Sequence, residues 1–168
     1  PRYPGFECWS FYGQRTATGV GILTNSPVRP WPNLQMWWDA DLLGESLDEE
    51  IVDKWNYTNQ VVNRQLTAYH YEATANGRNV PMCYGDILGD WREELVYADY
   101  SHSNLIVFTT TSFTTNRLYT LAQNPAYRNC LTVKGYVQAN LPDYFLGSGM
   151  SNPPTPNIVY VTNTPPPV

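Results

Sequence analysis

Three carboxylates spaced four residues apart, Asp86, Asp90 and Glu94, lie in the run Gly85-Asp86-Ile87-Leu88-Gly89-Asp90-Trp91-Arg92-Glu93-Glu94-Leu95-Val96-Tyr97. Gly89 lets the chain bend between them, and the alternation Leu95-Val96-Tyr97 predicts a strand at once afterwards. Like charges gathered in one turn repel unless a cation or an arginine sits among them. Hard oxygen ligands on a bent loop are what Ca²⁺ takes, and the Leu88 carbonyl is well placed to complete such a shell. The same residues suit a solvated acidic turn paired with Arg92, and spacing alone leaves both readings open. A smaller acidic pair, Asp39-Ala40-Asp41, follows Trp37-Trp38 and is a second candidate for a cation.

Other reactive types are sparse. His70 and His102 are the only histidines, each a possible base by its intrinsic pKa but neither within a motif. Gly147-Ser148-Gly149 lacks the spacing of a nucleophile elbow. Cys8, Cys83 and Cys130 leave either one thiol unpaired or three free, and no CxxC or His-x-x-x-His spacing points to zinc. Asn76-Gly77 is a strong turn signal, and on its own it reads as an ordinary hairpin turn.

The elements that must position these residues read as short strands. Strand patterns fall at residues 6–12, 19–24, 34–38, 51–55, 64–72, 95–97, 105–110 and 130–137, separated by Gly, Pro and Asn turns. Residues 42–47 could turn briefly into helix, and 118–124 fit a strand or one helical turn. Strands with turns every ten residues or so imply an all-β sandwich, barrel or propeller. The acidic turn recurs, at Asp39-Ala40-Asp41 and again at Asp86, Asp90 and Glu94, about one blade length apart, which favours the propeller. The 168 residues could form one domain, with Pro, Asn and Thr dominating after residue 150.

Composition narrows the partners. Charged residues make up 15% and aromatics 14%, with 13 Tyr and 6 Trp, which suits a β protein that handles sugars. A net charge of −5 and the lack of a basic run argue against nucleic acid. No apolar run approaches the roughly 20 residues of a membrane helix, so no membrane partner is expected.

Four segments carry a family resemblance: residues 85–97, Trp37-Trp38-Asp39-Ala40-Asp41-Leu42-Leu43, Arg117-Leu118-Tyr119-Thr120-Leu121, and Tyr144-Phe145-Leu146-Gly147-Ser148-Gly149-Met150. Together, in this order and with similar gaps, they resemble the C-terminal part of the polysaccharide lyase family 11 rhamnogalacturonan lyases. The resemblance runs from Pro1 to about Met150. It implies the C-terminal blades of an eight-bladed β-propeller carrying calcium ions, residues 1–150, with 151–168 as a closing strand and Pro-rich tail.

It also implies an activity, the cutting of the rhamnose–galacturonate bond of rhamnogalacturonan I by β-elimination, in a secreted, extracellular protein. Asn76-Gly77-Arg78 matches a family loop that contacts substrate and ends in a functional lysine, so Arg78 would stand in the lysine's place. Arginine is always charged, so it can neutralise a uronate but is a poor proton shuttle. Tyr136 matches a family tyrosine near substrate, and Lys134, two residues away on the same strand face, could lower its phenol pKa. Catalytic Arg78 and Tyr136, substrate-binding Asn76, Gly77 and Lys134, and Ca²⁺ on Asp86, Asp90, Glu94, Asp39 and Asp41 are therefore the expected site. Gln123-Asn124-Pro125 departs from the His-Asp-Pro common in relatives, and the family's upstream arginine precedes the segment matched by residues 1–5. A chain of about three blades would leave open edges, so the remainder of its own propeller, or other chains, should cover them. A non-catalytic pectin-binding fragment and a calcium-stabilised structural β domain are the alternatives.

Overall fold

Strand β10 (Glu94–Asp99) is buried along its whole length, and the sheet that holds the long acidic run is built around it. The computed structural model describes residues 7–10, 13–16, 21–24, 29–31, 33–132 and 139–157. On one side β10 pairs antiparallel with β11 (Leu105–Phe108). On the other it takes two short strands in succession, β8 (Ala73–Thr74) at Ala98 and Asp99, and β9 (Cys83–Gly85) at residues 94–96. The loop 75–82 therefore leaves and re-enters one edge of β10. Asn76-Gly77 does not close a hairpin, because β8 and β9 pair with β10 and not with each other.

Two further antiparallel sheets precede this one. β1 (Glu7–Ser10), β2 (Gly13–Thr16) and β3 (Gly21–Thr24) form a three-stranded meander. β4 (Leu34–Met36), β5 (Glu45–Asp48), β6 (Ile51–Asn56) and β7 (Val61–Thr67) form a four-stranded one. Trp9 of β1 stands edge-on to Trp55 of β6, with ring centroids 5.1 Å apart. The described chain is thus mostly β-sheet with little helix, in successive small sheets that do not close on one another.

Several expectations from sequence change. Residues 42–47 form no helix: the chain bends and enters β5, whose Leu47 packs in the core. The strand expected over 64–72 ends at Thr67, where a 3₁₀ turn, Ala68–Tyr71, buries Ala68 and ends at Glu72 in the left-handed region. Of the strand expected over 130–137, residues 133–137 lie outside the described residues, and 130–132 are instead the end of helix α1, Pro125–Thr132. Its cause lies just upstream: Asn124 Oδ1 accepts from Tyr127 N at 3.1 Å as an N-cap, and Pro125 takes the first helical position, where its missing N–H costs nothing. The last strand expected, near 158–161, lies outside the described residues.

Two apolar clusters hold these elements. Leu34, Met36, Trp38, Leu47, Val52, Leu95 and Tyr97 join the second and third sheets in one core. Trp37, Trp91, Leu121, Tyr127 and Leu146 make the other, beneath α1. Neighbouring Trp37 and Trp38 thus enter different clusters, as alternation along an extended chain requires. Gly85 lets α1 come close, since a Cβ there would stand 2.4 Å from Leu131 Cδ2.

Candidate functional site

The exposed loop between β8 and β9 presents Arg78 at its tip. Asn76 builds the loop: its Oδ1 accepts from Arg78 N at 2.8 Å, its backbone N donates to Val80 O at 2.9 Å, and its Nδ2 donates to Pro81 O at 3.3 Å. This Asx turn stiffens the segment while leaving Gly77 and Arg78 exposed. The far side is anchored too, since Asn79 O accepts from Glu49 N at 2.9 Å and from Asn33 Nδ2 at 3.2 Å. Arg78 takes part in no ion pair among the described residues, so its guanidinium faces solvent as a fixed positive charge. Tyr136 and Lys134 lie outside the described residues.

The acids of the long run are not brought together. Asp86 Oδ2 accepts from Thr120 Oγ1 and Leu121 N, both at 2.7 Å, tying the loop to the 3₁₀ turn Leu121–Gln123. Asp90 pairs with Arg92, the solvated-turn reading, and Arg92 also reaches the Ser112 carbonyl. Glu94 Oε2 accepts from Ile87 N and Leu88 N, both at 2.9 Å, while its Oε1 accepts from Thr109 Oγ1 at 3.2 Å. Left-handed backbone at Gly89 and Trp91 turns the three side chains apart. Each carboxylate closes a different stretch of backbone, and the trio does not fit a shared calcium ion.

The residue that sequence reasoning passed over in this run is Glu93. It is fully buried, with Oε1 accepting from the Tyr127 hydroxyl at 2.6 Å and Oε2 from Trp37 N at 2.9 Å. Its own N donates to Trp37 O at 2.7 Å, and the Tyr127 oxygen accepts from Asp86 N at 2.8 Å. Burial pushes the Glu93 carboxyl up to about 8, against the pull of these donors.

Asp39 and Asp41 do converge, together with Glu45, and this is the one such group of acids among the described residues. Asp39 and Asp41 sit in the bend after Trp38, and Glu45 opens β5. Lys54 of β6 projects into their midst: its Nζ stands 2.6 Å from Asp39, 2.7 Å from Asp41 and 2.7 Å from Glu45. Burial pushes Glu45 up to about 8 despite Lys54. Burial also works against the Lys54 charge, but the carboxylates, Glu45 foremost, hold its pKa above the usual lysine value.

His70 and His102 are exposed on separate turns, His70 edge-on to Tyr69, and neither reaches the loop of Arg78. Cys8 and Cys130 carry free thiols. No helix among the described residues is long and apolar enough to cross a membrane.

A sequence model described as rhamnogalacturonan lyase family 11, C-terminal domain, matches residues 1–156. The chain belongs to this family. It is 42% identical over 160 residues to the rhamnogalacturonan endolyase YesW of Bacillus subtilis, a match covering 94% of this chain and 26% of that protein. To the rhamnogalacturonan exolyase YesX of the same organism it is 29% identical over 175 residues, covering 93% and 28%. The crystal structure of YesW has a TM-score of 0.85 to this chain at 41% identity, over 94% of this chain and 27% of that one. A rhamnogalacturonan lyase of Bacillus licheniformis gives 0.86 at 39%, with the same coverage. This family 11 chain therefore spans about a quarter of the length of the relatives it matches. Within the family domain, the Arg78 loop and the Lys54 cluster lie on separate connections, 75–82 and 37–45.

Proposed function

We propose that this chain is the C-terminal part of a rhamnogalacturonan lyase that cuts the rhamnose–galacturonate bond of rhamnogalacturonan I by β-elimination. What carries this reading is the identity to an endolyase across 94% of the chain. In such a reaction a base removes the proton at C5 of the galacturonate. The electron pair forms the C4–C5 double bond, and the bond to the leaving oxygen breaks as that oxygen takes a proton. The C5 proton becomes acidic only when charge on the neighbouring carboxylate is neutralised, and Arg78, fixed at the tip of an Asx turn, is the group assigned to that task. Asn76 and Gly77 shape and open the loop for the sugar, while Tyr136 and Lys134 are assigned to contact and protonation of the substrate. Arg78, with its permanent charge, binds and neutralises and is not the base.

Architecturally, the three sheets are read as successive propeller blades, with 1–150 as the propeller portion and 151–168 as closing strand and tail. Leu105 and Val107 support this: on β11 they turn outward, 69% and 57% exposed, as an apolar face that a neighbouring blade would cover. A polymeric pectin substrate is met outside the cell, so the protein is read as secreted. Ca²⁺ has no step assigned here, because Asp86 Oδ2, Asp90 and Glu94 bond separate backbone or arginine groups, the buried Asp86 Oδ1 alone among their oxygens lacks a hydrogen-bond partner among the described residues, and Lys54 fills the remaining trio.

The pectin-binding alternative draws on one observation. Tyr69, Tyr71 and Tyr100 are exposed yet held, with the Tyr100 hydroxyl donating to Tyr69 O at 3.1 Å and Tyr71 edge-on to Phe108. The two readings part on one experiment, incubation of the natural polypeptide carrying these residues with rhamnogalacturonan I. A lyase produces an unsaturated uronate absorbing near the ultraviolet edge. A binding module retains the polymer on an affinity gel and produces none.

A further inference from the structure

The three carboxylates around Lys54 have the composition of a calcium site and a different occupant. An ammonium group has three N–H donors, and Lys54 directs them at three separate carboxylates, Asp39 Oδ2, Asp41 Oδ1 and Glu45 Oε1, within 2.6–2.7 Å. The acids are held for this from behind. Trp38 N donates to Glu45 Oε2 at 2.7 Å, Asp41 N to Asp39 Oδ1 at 2.9 Å, and Leu43 N to Asp41 Oδ1 at 2.7 Å. The carbonyl of Ala40, within the same bend, accepts from Thr114 Oγ1 at 2.7 Å and Asn116 Nδ2 at 3.0 Å. Glu45 is buried and Lys54 largely so, while Asp41 closes the cluster from its solvent side.

We propose that the Lys54 ammonium is the built-in cation of the 37–45 bend, and that removing it turns Asp39, Asp41 and Glu45 into a divalent-cation site. Ca²⁺ bonds carboxylate oxygen at about 2.3–2.6 Å, so an ion at the centre would lie against the ammonium, and the two cations exclude each other. Lys54 comes from β6 while its partners span the bend and β5, so the contact ties two strands to a loop as a metal would. It does so with a charge that chelators cannot remove.

The test uses the natural polypeptide, with bound Ca²⁺ per chain measured after equilibrium dialysis. Wild type and Asp39→Asn should bind the same amount, since Asp39 serves no ion when Lys54 is present. Lys54→Ala should bind about one Ca²⁺ more than wild type, and its melting temperature should rise with Ca²⁺ over its value in chelator. Adding Glu45→Gln to Lys54→Ala should abolish both gains. A drop of about one Ca²⁺ in Asp39→Asn would overturn the proposal, and this arm holds even if the lysine variants fail to fold. A folded Lys54→Ala protein that gains no ion would overturn it equally.

Discussion

Replacing Glu93 with glutamine should flatten the response of stability to pH. Glu93 is wholly buried between Trp37 and Tyr127, and burial lifts its carboxyl from 4.5 to about 8. The folded state therefore holds a proton that the unfolded chain releases above about 4.5. Between those values the native state binds more protons, so stability is greatest on the acid side and falls as pH rises from about 5 towards 8. A climb of about 3.5 pH units at about 1.36 kcal/mol per unit caps the loss at roughly 5 kcal/mol, and relaxation around the charge reduces it. Glutamine keeps the shape and carries no titrating proton, so Glu93→Gln should lose this slope and overtake wild type at the alkaline end. Urea unfolding at several pH values, followed by tryptophan fluorescence because Trp37 and Trp91 line the same cluster, reads the effect directly. Equal slopes in wild type and variant would refute the reasoning.

Other outcomes follow from the same geometry. Gly85→Ala should destabilise by about 1–3 kcal/mol, because its Cβ would meet Leu131 Cδ2 at 2.4 Å. Combining it with Leu131→Ala should recover part of that loss in thermal melts, and no recovery would refute a steric cause. The 168-residue chain produced alone should self-associate in sedimentation through the outward face of β11, and Leu105→Lys with Val107→Lys should suppress it. A monodisperse monomer that unfolds cooperatively would contradict the blade reading.

Much of the sheet was legible from residues alone. The strands Leu34–Met36, Ile51–Asn56, Glu94–Asp99 and Leu105–Phe108 fall where the residue patterns at 34–38, 51–55, 95–97 and 105–110 placed them. Helix α1 was hidden because Leu131, Thr132 and Val133 read as strand, while its true signal, Asn124-Pro125, lay upstream. The acids at 86, 90 and 94 share a spacing but not a direction, because left-handed residues between them turn each towards a different backbone partner. Lys54 was invisible as their counterpart's cation because it arrives on β6 from the far side of a turn, a proximity set by sheet register. Asn76-Gly77 marked a turn by itself, while Arg78 was singled out only through the family resemblance.

The central claim rests on the positive charge that Arg78 would bring to the uronate. The direct measurement is the rate of ultraviolet absorbance gain when the natural polypeptide acts on rhamnogalacturonan I, for wild type, Arg78→Ala and Arg78→Lys. The account predicts product from wild type, a loss of roughly 10²-fold or more in Arg78→Ala, and substantial recovery in Arg78→Lys. Full activity in Arg78→Ala, or no unsaturated product from wild type, would contradict it.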